Sequence, residues 1–403
     1  MNNIYAALEL GTTRTVLAIG EAETGGRLKV TCHAETPSAG VRKSQILNIQ
    51  DATQSIRSVL REIERKQEAS GSKITIGNAF LVVSGQHVRA DPFSAPVQVE
   101  GSRVTNEDIE AALRAAHSMP TSRDRELLDI IDQDYVLDNM GGIPSPRGMA
   151  GHLLRLNTLH VHGERNRIQD ARTAADAAHL EIREPLFAVT CAADAVLEDH
   201  ERKNGVLVID MGGGSTGFAV YSDGYIAATE VIGVGGDHVT NDIAHAFQTT
   251  NAQAEGLKIR EASATLGGEE GGALARVRVD PGENTLLDNR TSSRRALNTV
   301  VNARLLELFT VIRERLEDLD LVHRLHAGVV LTGGGSRMRN VDMLAEQAFG
   351  ASVRLGRPIH VDGLEEDPQS PSYAAIAGAL LYAHRNYEEK SILDGLLGRF
   401  FGK

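Results

Sequence analysis

Gly205-Val-Leu-Val-Ile-Asp-Met-Gly-Gly-Gly-Ser-Thr-Gly-Phe-Ala-Val-Tyr221 is the stretch that decides the reading of this chain. The apolar run from Val206 to Ile209 has the length and composition of a buried strand. It ends in Asp210, passes through Gly212, Gly213, Gly214 and Ser215, and meets a second apolar run, Phe218 to Tyr221. Glycines let successive backbone N–H groups close around an anion. A carboxylate beside such a turn can hold a hydrated magnesium ion against phosphates. P-loop and dinucleotide motifs send the glycine loop into a helix; here it enters another strand. Taken alone, the stretch reads equally well as an ordinary glycine-rich hairpin.

It has a counterpart. Tyr5-Ala-Ala-Leu-Glu-Leu-Gly-Thr-Thr-Arg-Thr-Val-Leu-Ala-Ile19 again runs strand, acid-x-Gly, hydroxyl residues, strand. Glu9 and Gly11 correspond to Asp210 and Gly212, which reads as an internal duplication. Two such hairpins facing each other would clamp one polyphosphate, with Gly11, Thr12, Thr13 and Arg14 on one side and Gly212–Ser215 on the other. Arg14 reads equally well as a solvated surface residue. Asp210, with Glu9 as a weaker partner, is the candidate magnesium site. A third cluster, Val329-Val-Leu-Thr-Gly-Gly-Gly-Ser336, precedes an amphipathic helix from about Asn340 and offers backbone to a sugar and base through Gly333, Gly334, Gly335, Ser336 and Met338.

At 403 residues the chain exceeds one ordinary core, so two or more domains are expected. The net charge of −12 argues against nucleic acid as a partner and restricts any contact with an anionic membrane to a local patch. Cys32 and Cys191 lack metal-site spacing and read as free thiols. No signal peptide or membrane-spanning run stands out. Helices are expected over Ile49–Glu68 (capped by Asp51), Thr105–Ala116 (opened by a capping box), Asn166–His179, from Pro185 through Leu197, Asp237–Phe247 and Val300–Leu319. Strands are expected over Leu28–His33, Ala79–Val83, Val97–Glu100, Leu127–Val136 and His152–Val161. Gly141–Pro146 reads as a loop, and His160 and His162 as structural. Residues 84–162 look like a compact inserted α/β module.

The end of the chain, Ser391-Ile-Leu-Asp-Gly-Leu-Leu-Gly-Arg-Phe-Phe-Gly-Lys403, repeats an apolar pair every four residues. On a helical wheel Ile392, Leu393, Leu396, Leu397, Phe400 and Phe401 fill one half, and Arg399 can meet lipid headgroups. Such a helix lies in a membrane interface, behind the polar stretch His384–Lys390. Docking on the protein's own core is the alternative. One copy would bind weakly; a polymer presenting many would bind tightly.

The whole chain resembles the actin-like ATPase superfamily, and within it the bacterial cell-division FtsA family. The resemblance is carried by Gly233-Val-Gly-Gly-Asp-His-Val-Thr-Asn-Asp-Ile243, Ala254-Glu-Gly-Leu-Lys258, Leu331-Thr-Gly-Gly-Gly-Ser-Arg-Met338, Phe80-Leu-Val-Val-Ser-Gly-Gln-His87 and Ser372-Tyr-Ala-Ala-Ile-Ala-Gly378. It implies an actin-like (ribonuclease H-like) duplicated two-lobe α/β fold: subdomain 1A over 1–83 and 163–194, an inserted 1C over 84–162, 2A over 195–225 and 300–385, 2B over 226–299, and a linker with a membrane-targeting helix over 386–403. It implies ATP and Mg2+ as cofactors, Gly235 and Gly236 among the cofactor-binding residues, and Glu255 and Lys258 at the adenosine. Two departures bear on hydrolysis. Gly217 stands where the family commonly has an acid. Ala192-Ala193-Asp194 replaces Ser-Ala-Glu, leaving Asp194 to orient a water. Binding is therefore expected with slow turnover, if any. The implied partners are the FtsZ C-terminal tail, met by Arg294 and Arg304 with Thr299 at an often acidic position, further copies in actin-like filaments, later divisome proteins through 1C, and the anionic inner membrane. The implied location is that membrane's cytoplasmic face at the division septum. A PilM-like scaffold of a pilus or secretion assembly, which binds a membrane partner's peptide, is the alternative.

Overall fold

Both halves of the chain build the same sheet. The computed structural model describes residues 4–23, 27–71, 74–118, 120–266, 276–279, 290–364 and 370–386. The first sheet runs in spatial order Glu181–Phe187, Asn78–Val83, Ile4–Leu10, Arg14–Ala22, Leu28–Pro37 and Val361–Asp362. The second runs Val353–Leu355, Val329–Thr332, Val206–Met211, Thr216–Ser222 and Tyr225–Ile232. In each, the strand that carries the acid pairs antiparallel with the next strand and parallel with a later one, and a third strand continues the meander. The expected duplication is present over five strands of each sheet, and the first sheet adds the short strand Val361–Asp362. Thr216–Ser222 is buried at every position, as its apolar run requires for a strand covered on both faces.

Residues 188–197 join the two lobes. The helix Ala188–Val196 and the helix over 374–386 share one apolar core with the first sheet and with Val206, Val208 and Ala219 of the second. Their crossing is close: a Cβ on Gly378 would collide with the carbonyl of Cys191, so glycine is required there. A separate core lies under the helices Gly236–Phe247, Asn251–Arg260 and Arg294–Asp318. The inserted module has its own small core and a four-stranded sheet in order Arg89–Gln98, Leu153–Glu164, Arg125–Leu137 and Met140–Ile143.

Several expectations shift. The capping box is present: the Thr105 hydroxyl accepts from Asp108 N–H, and the Asp108 carboxylate accepts from Thr105 N–H. The helix Ile49–Ser70 is capped by Asn48, not Asp51. Glu255 and Lys258 lie one turn apart in the helix Asn251–Arg260. The long helix starts at Arg294, six residues before Val300, because the Ser293 hydroxyl caps it. Part of the expected 141–146 loop is the strand Met140–Ile143. The helix expected from Pro185 starts at Ala188, and Pro185 belongs to the strand Glu181–Phe187, whose seven residues give no period-2 signal in the sequence. Its place at the sheet edge is what tolerates the proline. His160 Nε2–H donates to Ala116 C=O in the module core (3.0 Å), and His162 is held between Arg125 and Asp91, so both are structural.

Candidate functional site

The two glycine hairpins close with the same bond. Gly11 N–H donates to Arg14 C=O at 3.0 Å, and Gly212 N–H to Ser215 C=O at 2.9 Å. The hairpins face each other across a cleft of about 580 Å3 between the lobes. They touch there: a Cβ on Gly213 would strike the Thr13 hydroxyl, and one on Gly214 the Thr12 hydroxyl. Glycine in the second hairpin is what lets the threonines of the first approach. Gly235 and Gly236 sit behind the second hairpin, where Gly236 N–H donates to Gly212 C=O (3.0 Å) and Asp237 N–H to Gly213 C=O (2.9 Å). These bonds tie the start of the helix Gly236–Phe247 to the second glycine hairpin.

Glu9 and Asp210, at equivalent positions in the two sheets, both border the cleft floor. Burial raises the proton affinity of both. For Asp210 the Glu9 charge adds to it against the opposing pull of Arg14, taking the carboxyl to about 7. Two buried carboxylates, with the Glu9 charge opposing ionisation of Asp210, form a hard-oxygen donor set. Such a set fits Mg2+, which takes one or two carboxylates and completes its shell with water and phosphate.

The opposite wall receives the other predicted residues. Gly333, Gly334, Gly335 and Met338 border the cleft, and the Ser336 hydroxyl turns back to Gly333 C=O (2.8 Å). Lys258 bonds Glu255 at 2.6 Å, Thr240 at 2.8 Å and Gly236 C=O at 3.2 Å, and both Glu255 and Lys258 line the cleft. Ile259, 70% exposed, Leu305 and Leu308 line the same end. They form an apolar wall suited to a planar base, which lone aliphatic residues in a sequence do not signal. Ser372, buried at the cleft margin, has a hydroxyl that bonds to nothing among the described residues.

Several residues singled out in the sequence look different in place. Arg14 borders the cleft, but its guanidinium is committed to the Glu35 carboxylate and Ser372 C=O, with the Tyr373 ring 5.1 Å away. Asp194 is not brought to the cleft. Its carboxylate pairs with Arg202 (3.0 Å) and Arg385 (3.5 Å) beside the last helix. Gly217 has no room for an acid, because a Cβ there would strike Val189 of the interlobe helix. Arg294 pairs with Glu261, and Arg304 with Asp242 (2.6 Å) and Glu307 (2.6 Å), so both guanidiniums already face carboxylates. Ile392, Leu393, Leu396, Leu397, Arg399, Phe400 and Phe401 lie outside the described residues.

Known proteins share this organisation. The family model for cell division protein FtsA matches residues 207–378, and the model for the SHS2 domain inserted in FtsA matches 85–162. The cell division protein FtsA of Pseudomonas aeruginosa is 35% identical over 380 residues, which cover 94% of this chain and 89% of the relative. Among solved structures, the PilM-PilN type IV pilus biogenesis complex aligns with a TM-score of 0.61 at 17% identity over 94% of this chain and 98% of that one. MreB 5 of Spiroplasma citri bound to AMPPNP aligns with a TM-score of 0.55 at 14% identity, over 97% and 98%. At those identities the two structures establish the fold, which is actin-like with an FtsA-type insert. The conserved architecture, the insert and the sequence identity along nearly the whole length agree: this chain belongs to the cell division protein FtsA family.

Proposed function

We propose that this protein binds ATP with Mg2+ between its lobes, assembles into filaments and anchors FtsZ filaments to the cytoplasmic face of the inner membrane at the division septum. The observation that carries the proposal is the pair of matched hairpins, each closed by the same Gly-to-i+3 bond, with Glu9 and Asp210 beneath them. Thr12, Thr13 and Gly212–Ser215 would hold the phosphates. Glu9 and Asp210 would hold the magnesium ion through its waters, and the ion would neutralise phosphate charge. Glu255, Lys258 and the Gly333–Met338 turn would hold the nucleoside against the Ile259 wall. A nucleotide-bound MreB of the same fold supports this reading. With Asp194 engaged by two arginines, a water-orienting group is missing from the set, so binding with little or slow turnover is the expected behaviour.

Membrane attachment would come from residues 391–403 as an interfacial helix. No helix among the described residues is long and apolar enough to cross a bilayer. Arg294 and Arg304 would meet the acidic tail of FtsZ in exchange for their present carboxylate partners, and the inserted module would meet later division proteins. The deciding test is co-sedimentation with anionic liposomes, with ATP and magnesium, of the full chain and of a chain ending at Lys390. Pelleting of the full chain alone is expected. Equal behaviour of the two chains would remove the membrane-tether part of the proposal.

A further inference from the structure

One strand of the inserted module, Arg125–Leu137, ties the first lobe, the interlobe helix and the second lobe together. Near its start the Glu126 carboxylate accepts from both ends of the Arg172 guanidinium (2.9 and 2.6 Å), which belongs to the first-lobe helix Arg165–Ala177. Further along, Asp129 bonds the Thr190 hydroxyl of the interlobe helix. Beyond it, Gln133 reaches the second lobe. Its Nε2–H groups donate to Ile226 C=O at 2.8 Å and to Ala227 C=O at 3.2 Å. Leu128 and Ile131, between these anchors, share one apolar core with Ile226 and Val231.

The two carbonyls need a partner for a definite reason. Tyr225–Ile232 is the edge strand of the second sheet, and an edge strand presents carbonyls that no neighbouring strand pairs. Its register against Thr216–Ser222 slips between Tyr221↔Ile226 and Val220↔Ala228, which makes Ala227 the extra residue of a β-bulge. A bulge leaves that residue out of the ladder and re-aims the strand. Gln133 supplies donors at that point. The same strand then leads to the cleft. Its last residue, Ile232, lies opposite Thr216, and the Thr216 hydroxyl donates to Val234 C=O at 2.8 Å. The N–H groups of Gly236 and Asp237 hold the carbonyls of Gly212 and Gly213.

We propose that Gln133 is a positioning residue for the second glycine hairpin. It pins the strand that leads to that hairpin against a module fixed on the first lobe, and so sets how closely the two hairpins face each other. Without the pin, the second lobe turns outward about the interlobe helix, and nucleotide leaves the cleft sooner. This rests on the nucleotide reading of the cleft.

The test uses the full chain and two variants with side chains of similar length. Gln133→Met keeps the volume and removes the donors. Gln133→Lys removes the amide but keeps N–H donors within reach of the carbonyls. Release of a fluorescent ADP analogue, bound with magnesium and displaced by excess ATP, is followed by stopped flow. Gln133→Met should release it about tenfold faster, the scale of losing one or two hydrogen bonds. Gln133→Lys should return the rate to within about twofold of the natural chain. A Gln133→Met chain that melts lower but releases at the natural rate would make Gln133 a packing residue and overturn the proposal. So would a Gln133→Lys chain as fast as Gln133→Met. Hydrogen exchange without nucleotide gives a reading that does not depend on binding: residues 211–216 and 225–237 should lose protection in Gln133→Met and keep it in Gln133→Lys. A natural chain that binds no nucleotide would remove the reading of the cleft, whereas unchanged exchange in Gln133→Met would remove the pin itself.

Discussion

The two glycine hairpins share a backbone and divide the chemistry. Each follows an acid-bearing strand and closes with a glycine N–H bonded to the carbonyl three residues on. The first presents Thr12 and Thr13; the second presents Gly213 and Gly214. Side chains on both would keep the lobes apart, since even a Cβ on either glycine strikes a threonine hydroxyl. Register equivalence extends further. Val16 lies opposite Glu9 as Gly217 lies opposite Asp210, yet only Gly217 is pressed by Val189 of the interlobe helix. Duplication fixes the frame, and contact between the copies then dictates which copy must shrink.

The largest expected effect separates the two acids. Asp210→Asn should weaken magnesium-dependent AMPPNP binding about 100-fold, and Glu9→Gln less than about tenfold, within the range for interactions with a charged partner. Equal losses would make the pair symmetric and end the distinction between them. The pH dependence has a definite sign. Burial, then the Glu9 charge, lifts Asp210 from an ordinary 3.8 to about 7. Between those values the folded protein keeps a proton that the unfolded chain has released. Stability from this group is therefore complete at low pH and is lost as pH rises toward about 7. Melting temperature of the nucleotide-free protein should show that decline, and Asp210→Asn should flatten it.

What was legible in the sequence follows from the same contrast. Glycine runs and strand-acid-glycine order are local, so both hairpins, Asp210, Glu9 and the two-lobe fold could be read from residues. Roles that depend on what packs opposite could not. Arg14 sits in the phosphate motif but turns to Glu35, which is 21 residues away, and to Ser372, which is 358 away. Asp194 lies on the expected connecting helix but faces Arg202 and Arg385. Ile259 and Ser44 carry no motif and reach the cleft only through tertiary packing. The terminal segment is readable as a pattern of paired apolar residues and lies outside the described structure.

A smaller effect tests the division of bulk. Gly213→Ala should lower AMPPNP affinity about tenfold, the scale of a modest overpacking penalty. Thr13→Gly in the same chain should restore part of that loss, because the atom struck first by the new Cβ is the Thr13 hydroxyl. Coupling between the two changes is the signature of contact. Additive losses would mean that the hairpins do not meet during binding.

The smallest effect concerns the two residues at matching turn ends, Arg14 and Ser215. Each supplies the carbonyl that closes its hairpin, but their side chains go opposite ways. Ser215 is buried among the cleft hydroxyls, within reach of Ser44 and Ser84, whereas Arg14 is tied to Glu35, Ser372 C=O and the Tyr373 ring. Ser215→Ala should therefore reduce nucleotide affinity severalfold with little change in melting temperature. Arg14→Ala should do the reverse: affinity within about threefold, and a stability loss of roughly 1–2 kcal/mol from one part-exposed ion pair and one cation–aromatic contact. If Arg14→Ala leaves the protein as stable as before but unable to bind AMPPNP, the guanidinium leaves its present partners for the phosphates, and the first hairpin contributes charge as well as hydroxyls.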